Sequence, residues 1–243
     1  MELIESMEIA IFGLVVAVIF ASYFFARRFG QGALGAPFLY FTAGTFMIGL
    51  ARLFLFLASA EVYTLEETTL HVWWHVMFYL GMTSFALGGM RMQKIAAQSP
   101  VAGFSAKDTY TLAAFLAVSF LIFFIATPLE PILAPVLVGS FVETFGLHHF
   151  LAVIFAVFAG FYIHKIKSHW GKLLTVSVYP FLAFIVLMGL QHAWEVVTES
   201  WHLIELSLST IEQVEQFIVL PALVLLGFGF LRILLVLGKK RES

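Results

Sequence analysis

Six of the eight histidines in this 243-residue chain fall at a common depth, near the outer surface of a predicted bundle of membrane helices. These histidines are His71, His75, His148, His149, His192 and His202. His71 and His75 are four residues apart, so both imidazoles lie on one face of a helix and are able to reach the same metal ion. Ionisable side chains inside a membrane are costly, and they commonly mark functional sites. The spacing and depth therefore predict a cofactor site at this end of the bundle.

Two further segments bring ligand-type side chains to the same depth. His148 and His149 are adjacent, and neighbours on a helix point about 100° apart, so one of them faces the bundle centre more easily than the other. The sequence leaves open which one does so. His192 and Glu195 are three residues apart and share a helix face. The predicted metal ligands are His71, His75, His148, His149, His192 and Glu195.

The residue types restrict the chemistry of this site. The chain has no cysteine, so a metal would be held by nitrogen and oxygen atoms. Imidazole suits Zn, Cu and Fe, and carboxylates extend the choice towards Fe and Mn. We predict that this cluster of His and Glu side chains faces outward and binds a transition metal, namely Zn, Fe or Cu. One role for such a site is a membrane-embedded, metal-dependent enzyme that activates water or uses a di-iron centre. The sequence does not decide whether the protein is an enzyme.

Two other functions compete with the metal site. Haem b needs two axial histidines on different helices, and it would make this an electron-transfer or quinone-reactive protein. Without a metal, the cluster would instead line the pocket of a seven-helix receptor or transporter, or a polar seam in a subunit of a larger membrane complex. A retinal protein is disfavoured, because the last predicted span, from Ile211 to Leu237, contains no lysine for a Schiff base.

Arg52 lies near the outer end of the second predicted span. An intramembrane arginine commonly pairs with an acid, for which Glu195 and Glu215 are candidates, and we favour this interpretation. The alternative is a clamp for an anion such as a carboxylate, a phosphate or a haem propionate. Trp73 and Trp74 flank the site, and their depth favours an aromatic belt at the membrane surface.

Composition defines the elements that position these residues. The chain is 61% hydrophobic and 12% charged, with a mean hydropathy of +0.99, whereas soluble domains carry about 25% charged residues. A helix needs roughly 20 apolar residues to span a bilayer. Seven such spans are predicted, at residues 8–26, 36–58, 66–90, 108–127, 140–163, 172–197 and 210–237. We therefore expect an all-α integral membrane protein, with one domain over residues 1–243 that forms a seven-helix bundle.

The distribution of charge predicts the orientation of this bundle. Lysine and arginine accumulate on the cytoplasmic side of membrane proteins, and here they follow the first, third, fifth and seventh predicted spans. The N-terminus is therefore predicted outside and the C-terminus in the cytoplasm, in the plasma (inner) membrane. A net charge of −2 gives no sign of nucleic-acid binding. The expected partners are the lipid bilayer, a lipophilic or quinone-like small molecule, and further copies or subunits of a membrane complex.

Overall fold

The computed structural model describes residues 2–29, 35–59, 67–97, 110, 146–166 and 172–239. Within these ranges the chain forms six α-helices and no strand. The helices are α1 (Glu2–Phe29), α2 (Gly35–Ser59), α3 (Glu67–Ala97), α4 (Leu147–Ile166), α5 (Lys172–Glu195) and α6 (Leu208–Lys239). A five-residue π-helical turn, Val196–Ser200, extends α5. The prediction of an all-α chain is confirmed for this part of the protein.

Five of the six described helices are long and apolar enough to cross a membrane. The exception is α3, whose 31 residues exceed the necessary length but which is the least apolar of the six. These helices support a membrane helical bundle. The predicted fourth span, 108–127, lies outside the described residues apart from Tyr110. The count of seven spans and the orientation in the membrane therefore stay predictions.

The six helices form a ring in chain order. Each packs against the next, and α6 packs against α1. The helices α3 and α4 run in the same direction, because Tyr79 contacts His148 near one end of the pair and Gln93 contacts Tyr162 near the other. As a result α1, α3, α4 and α6 all finish on one side of the ring, where basic residues collect. This basic end is defined by Arg27, Arg28, Lys94, Lys165 and Lys239.

Phenylalanine fills the interior of the ring. Seven rings from five helices form a continuous set of contacts, with centroid separations of 4.4–6.5 Å. This phenylalanine core consists of Phe25, Phe38, Phe41, Phe85, Phe181, Phe184 and Phe230, each at most 1% exposed. An aromatic pair contributes roughly 0.5–1.5 kcal/mol beyond the burial of its area. The core therefore holds the helices in place below the end of the ring where the predicted site lies.

Small residues let two pairs of neighbouring helices approach closely. Between α2 and α3, a Cβ atom added to Gly44 would lie 2.8 Å from the carbonyl oxygen of Gly81. Between α4 and α5, a Cβ atom added to Gly189 would lie 3.1 Å from the Cβ of Ala156. The contact at Gly44 is the tighter one, and it involves a backbone atom that has little freedom to move.

We expect Gly44→Ala to lower the melting temperature of the detergent-solubilised protein, because the new methyl group forces α2 and α3 apart. Overpacking of this kind typically costs about 1–3 kcal/mol. Gly13→Ala is the matched control, because among the described residues no atom lies within 4 Å of its added Cβ. That change should be neutral or stabilise α1 by up to ~1 kcal/mol. Thermal unfolding followed by circular dichroism compares the two, and equal melting temperatures would contradict the close contact.

Candidate metal centre

Helix α3 supplies the first member of the site, His75, whose side chain is 3% exposed. The preceding Trp73 and Trp74 are 4% and 5% exposed. The prediction that these tryptophans form a belt at the membrane surface is therefore wrong, because both pack inside the bundle. His71 lies one turn earlier on α3, but its side chain is outside the described part of the chain. Its role as a ligand stays a prediction.

Helix α4 supplies His149 from its first turn. The helix follows Gly146, whose φ of +59° suits glycine and whose backbone lies directly against the side chain of Ser200. This contact fixes the start of α4 beside the end of α5. It leaves His149 buried, at 3% exposure, and His148 half-buried. Of the adjacent pair, His149 is thus the residue that faces the interior, while the backbone oxygen of His148 accepts a 2.7 Å hydrogen bond from the Tyr79 hydroxyl.

Helix α5 supplies His192 and Glu195 from its last turn, 0% and 5% exposed. One carboxylate oxygen of Glu195, Oε2, lies among the histidines. Oε2 lies 2.8 Å from Nδ1 of His149 and is hydrogen-bonded to Nδ1 of His192. Nδ1 of His149 is also 3.1 Å from Nε2 of His75. Side chains from three helices therefore meet at one point.

These side chains form a compact group, called here the His/Glu cluster. It consists of His75, His149, His192 and Glu195, whose ligand atoms all lie within 4.8 Å of one another. Every member is at most 5% exposed. The prediction of an outward-facing cluster is therefore wrong, because the helices of the ring enclose it. Of the six predicted ligands the structure brings these four together, and it places His148 beside the group, with its ring 4.1 Å from that of His149.

Gln191 also belongs to the site, although its position in the sequence did not predict this role. Its Nε2 donates a 2.9 Å hydrogen bond to Oε1 of Glu195. Its Oε1 accepts a 2.9 Å hydrogen bond from Nη2 of Arg52. Arg52 thus reaches Glu195 through an amide, and its guanidinium lies over the ring of Trp74 at 4.2 Å. The available signal in the sequence was an amide one helical turn before Glu195 and next to His192, within a predicted membrane span.

Carboxylates dominate the electrostatics at this end of the ring. Oε2 of Glu199 lies 3.8 Å from Nε2 of His149, and Glu215 interacts electrostatically with both Glu199 and Glu195. Among the described lysines and arginines, Arg52 alone lies here, and it interacts electrostatically with Glu215. Acidic side chains therefore outnumber cationic ones among the described residues at this end of the ring, and each acid that ionises favours an added cation.

Comparisons with known proteins place this chain in no family: no family model, no curated protein and no solved structure matches it. What the protein does must therefore be argued from the chemistry and geometry of the His/Glu cluster and of the residues that surround it. The described helices identify it as a membrane-type helical protein with a buried group of side chains that could hold a metal ion.

Proposed function

We propose that this protein binds one transition-metal ion, Zn, Fe or Cu, inside its membrane bundle through the His/Glu cluster. The observation that carries the proposal is the meeting of four ligand atoms from three helices within 4.8 Å. Imidazole nitrogen and carboxylate oxygen are established zinc ligands, and imidazole also suits Cu and Fe. A further acidic side chain, that of Glu199, lies beside the cluster, with its Oε2 3.8 Å from Nε2 of His149.

Two contacts within the cluster share a single hydrogen. Nδ1 of His149 lies 3.1 Å from Nε2 of His75 and 2.8 Å from Oε2 of Glu195. A ring nitrogen carries either one hydrogen or one lone pair, so a single hydrogen has to serve both contacts. A metal ion would instead accept one lone pair from each ligand atom. This supports a bound ion over a metal-free polar seam, in which the two contacts of Nδ1 of His149 would compete for one hydrogen.

The dimensions of the cluster suit a small ion better than haem b. Zinc bonds of about 2.0–2.2 Å place the ligand atoms of a tetrahedron roughly 3.3–3.6 Å apart. The closest contacts of His149 are within about half an ångström of that range, at 2.8 and 3.1 Å. The axial histidines of a haem lie on opposite faces of a wide, flat ring. The rings of His75 and His149 are in direct contact, with centroids 4.7 Å apart.

The number of ligands supports a binding role that joins α3, α4 and α5. Structural zinc sites have four protein ligands, whereas catalytic sites have three and keep one position for water or substrate. Activation of water would require one member of the His/Glu cluster to leave the ion. A lipophilic or quinone-like partner, and assembly into an oligomer, stay predictions from the sequence.

Metal analysis of the purified protein tests the proposal. Protein isolated in detergent without chelator should contain one metal ion per chain by mass spectrometry. After chelation it should take up Zn²⁺ and melt at a higher temperature, with a gain of ~2.7 kcal/mol when free metal is about 100 times Kd. The absorption spectrum of the same sample tests for the Soret band of haem. No metal after purification, no uptake and an unchanged melting temperature would together contradict the proposal.

A further inference from the structure

Arg52 connects the site to α2, a helix that supplies none of the four ligand atoms. Its guanidinium lies 4.2 Å over the ring of Trp74 on α3, and its Nη2 donates a 2.9 Å hydrogen bond to Gln191 on α5. A planar guanidinium that stacks on an aromatic ring and donates in its own plane is fixed in both position and orientation. Arg52 is therefore a rigid donor aimed at the Gln191 amide.

The groups on either side of Gln191 permit one orientation of its amide. Arg52 has only N–H donors, and the ionised carboxylate of Glu195 has only acceptors. The amide oxygen therefore faces Arg52 and the NH2 group faces Glu195, in agreement with the two 2.9 Å hydrogen bonds. A flipped amide would set donor against donor and acceptor against acceptor. Each hydrogen bond to a charged group that is lost in this way costs about 1.5–3 kcal/mol.

This orientation of the Gln191 amide places one carboxylate oxygen of Glu195 in a hydrogen bond. Oε1 accepts from Gln191, whereas Oε2 faces His149 and His192. If the carboxylate turned so that both oxygens reached an ion, Oε1 would move out of line with Nε2 of Gln191, and that hydrogen bond would weaken. Gln191 is 1% exposed and Glu195 is 5% exposed, so bulk water is not in contact to replace that bond. The carboxylate is thereby arranged to offer a single ligand atom.

We propose that Arg52, acting through Gln191, keeps Glu195 a one-oxygen ligand and so makes the site selective for four-coordinate ions such as Zn²⁺. Ions that prefer six oxygen-rich positions, such as Mn²⁺, would need the second oxygen. The proposal rests on the proposed function, because it requires the His/Glu cluster to bind a metal. Arg52 is a positioning residue in this account, and neither an anion clamp nor a ligand.

Co²⁺ is the probe for this experiment, because four-coordinate Co²⁺ absorbs visible light several times more strongly than six-coordinate Co²⁺. Chelator-treated protein is titrated with Co²⁺ and then with Zn²⁺ and Mn²⁺. We compare the wild type with Arg52→Met and Gln191→Met, which remove one donor each while keeping an apolar stem. Arg232→Met is the matched control, because Arg232 also lies near an aromatic ring, that of Phe228, but on α6.

The wild type and Arg232→Met should give the strong four-coordinate spectrum. Arg52→Met and Gln191→Met should both lose most of that absorbance, and their Zn²⁺ affinity should fall about 10–100-fold, as is typical for partners that orient a metal ligand. The ratio of their Zn²⁺ affinity to their Mn²⁺ affinity should fall as well. Arg52→Lys retains a charged donor but lacks the planar guanidinium, so it should recover part of the wild-type spectrum that Arg52→Met loses. Equal melting temperatures of the metal-free Lys and Met variants would separate positioning from a general loss of folding.

Three results would overturn the inference. If wild-type protein takes up no Co²⁺ and no Zn²⁺, the proposed function fails and the inference fails with it. If the wild type binds but Arg52→Met and Gln191→Met keep its spectrum and affinity, the inference alone fails. If only Gln191→Met changes the spectrum, the role of Arg52 is rejected while the metal site stands.

Discussion

Protein carrying His149→Ala should retain no tightly bound metal, whereas protein carrying His148→Ala should retain it. His149 contacts both His75 and Glu195 within the cluster, at 3.1 and 2.8 Å, and its side chain is buried. His148 lies beside the cluster but contributes no atom to it. Loss of a partner that merely orients a ligand lowers the metal affinity roughly 10–100-fold. Loss of a ligand itself should therefore lower the metal affinity by more than about 100-fold. Metal content and Zn²⁺ competition titrations measure both variants.

Two further variants serve as controls for this comparison. His164→Ala removes an exposed histidine from the same helix, near the basic end, and it should behave as the wild type. His149→Gln preserves a polar side chain of similar size, so it separates the loss of a ligand from the loss of folding, with the melting temperature of the metal-free protein as the check. Equal losses for His148→Ala and His149→Ala would show that the turn at Gly146 does not select His149 as the ligand.

Phe181→Ala should lower the free energy of unfolding by about 3–5 kcal/mol, the usual cost of removing a buried phenylalanine side chain. Phe181 is 1% exposed, and its ring lies 5.4 Å from that of Phe41 and 5.0 Å from that of Phe230. Gly229 allows the ring to approach α6, because a Cβ atom there would lie 2.8 Å from it. Alanine therefore leaves a cavity where three helices meet. Denaturant titration in detergent micelles measures the change.

Phe158→Ala provides the comparison for Phe181→Ala. Phe158 is 47% exposed on the outer surface of α4, so its truncation leaves no enclosed cavity. We expect a change within about 0.5 kcal/mol, as is usual for surface substitutions. Similar losses for Phe158→Ala and Phe181→Ala would show that the phenylalanine core is not the main packing element of the bundle.

The helical fold could be predicted from the sequence because apolar stretches of membrane length are a strong signal. The ends of the helices were harder to predict from the sequence. Helix α1 runs from Glu2 to Phe29, beyond the predicted span of 8–26, because polar residues at a membrane surface continue a helix without altering the hydrophobic signal. The packing of the ring depends on contacts such as that between Gly44 and Gly81, which local spacing does not reveal.

The site could be predicted in part for a similar reason. Shared depth and helical spacing identified His75, His192 and Glu195, because both properties follow from the positions of residues within a single helix. The rotation of α4, which selects His149, depends on the contact of Gly146 with Ser200, more than fifty residues away. Burial of the cluster also depends on the surrounding helices. A buried amide such as Gln191 carries no charge, so a search for ligands and ion pairs does not detect it.

The phenylalanine core also restricts how an ion bound by the cluster could travel. The ring of Phe78 packs on that of His192 at 4.2 Å, and the seven rings beyond it occupy the interior of the described helices towards the basic end. A cation would have to shed its water to enter such apolar surroundings, at a cost of roughly tens of kcal/mol. We therefore expect a metal ion to enter and leave the cluster from the side of Glu199. On this basis the described helices form a metal-binding site that is reached from one side of the membrane and not an ion channel across it.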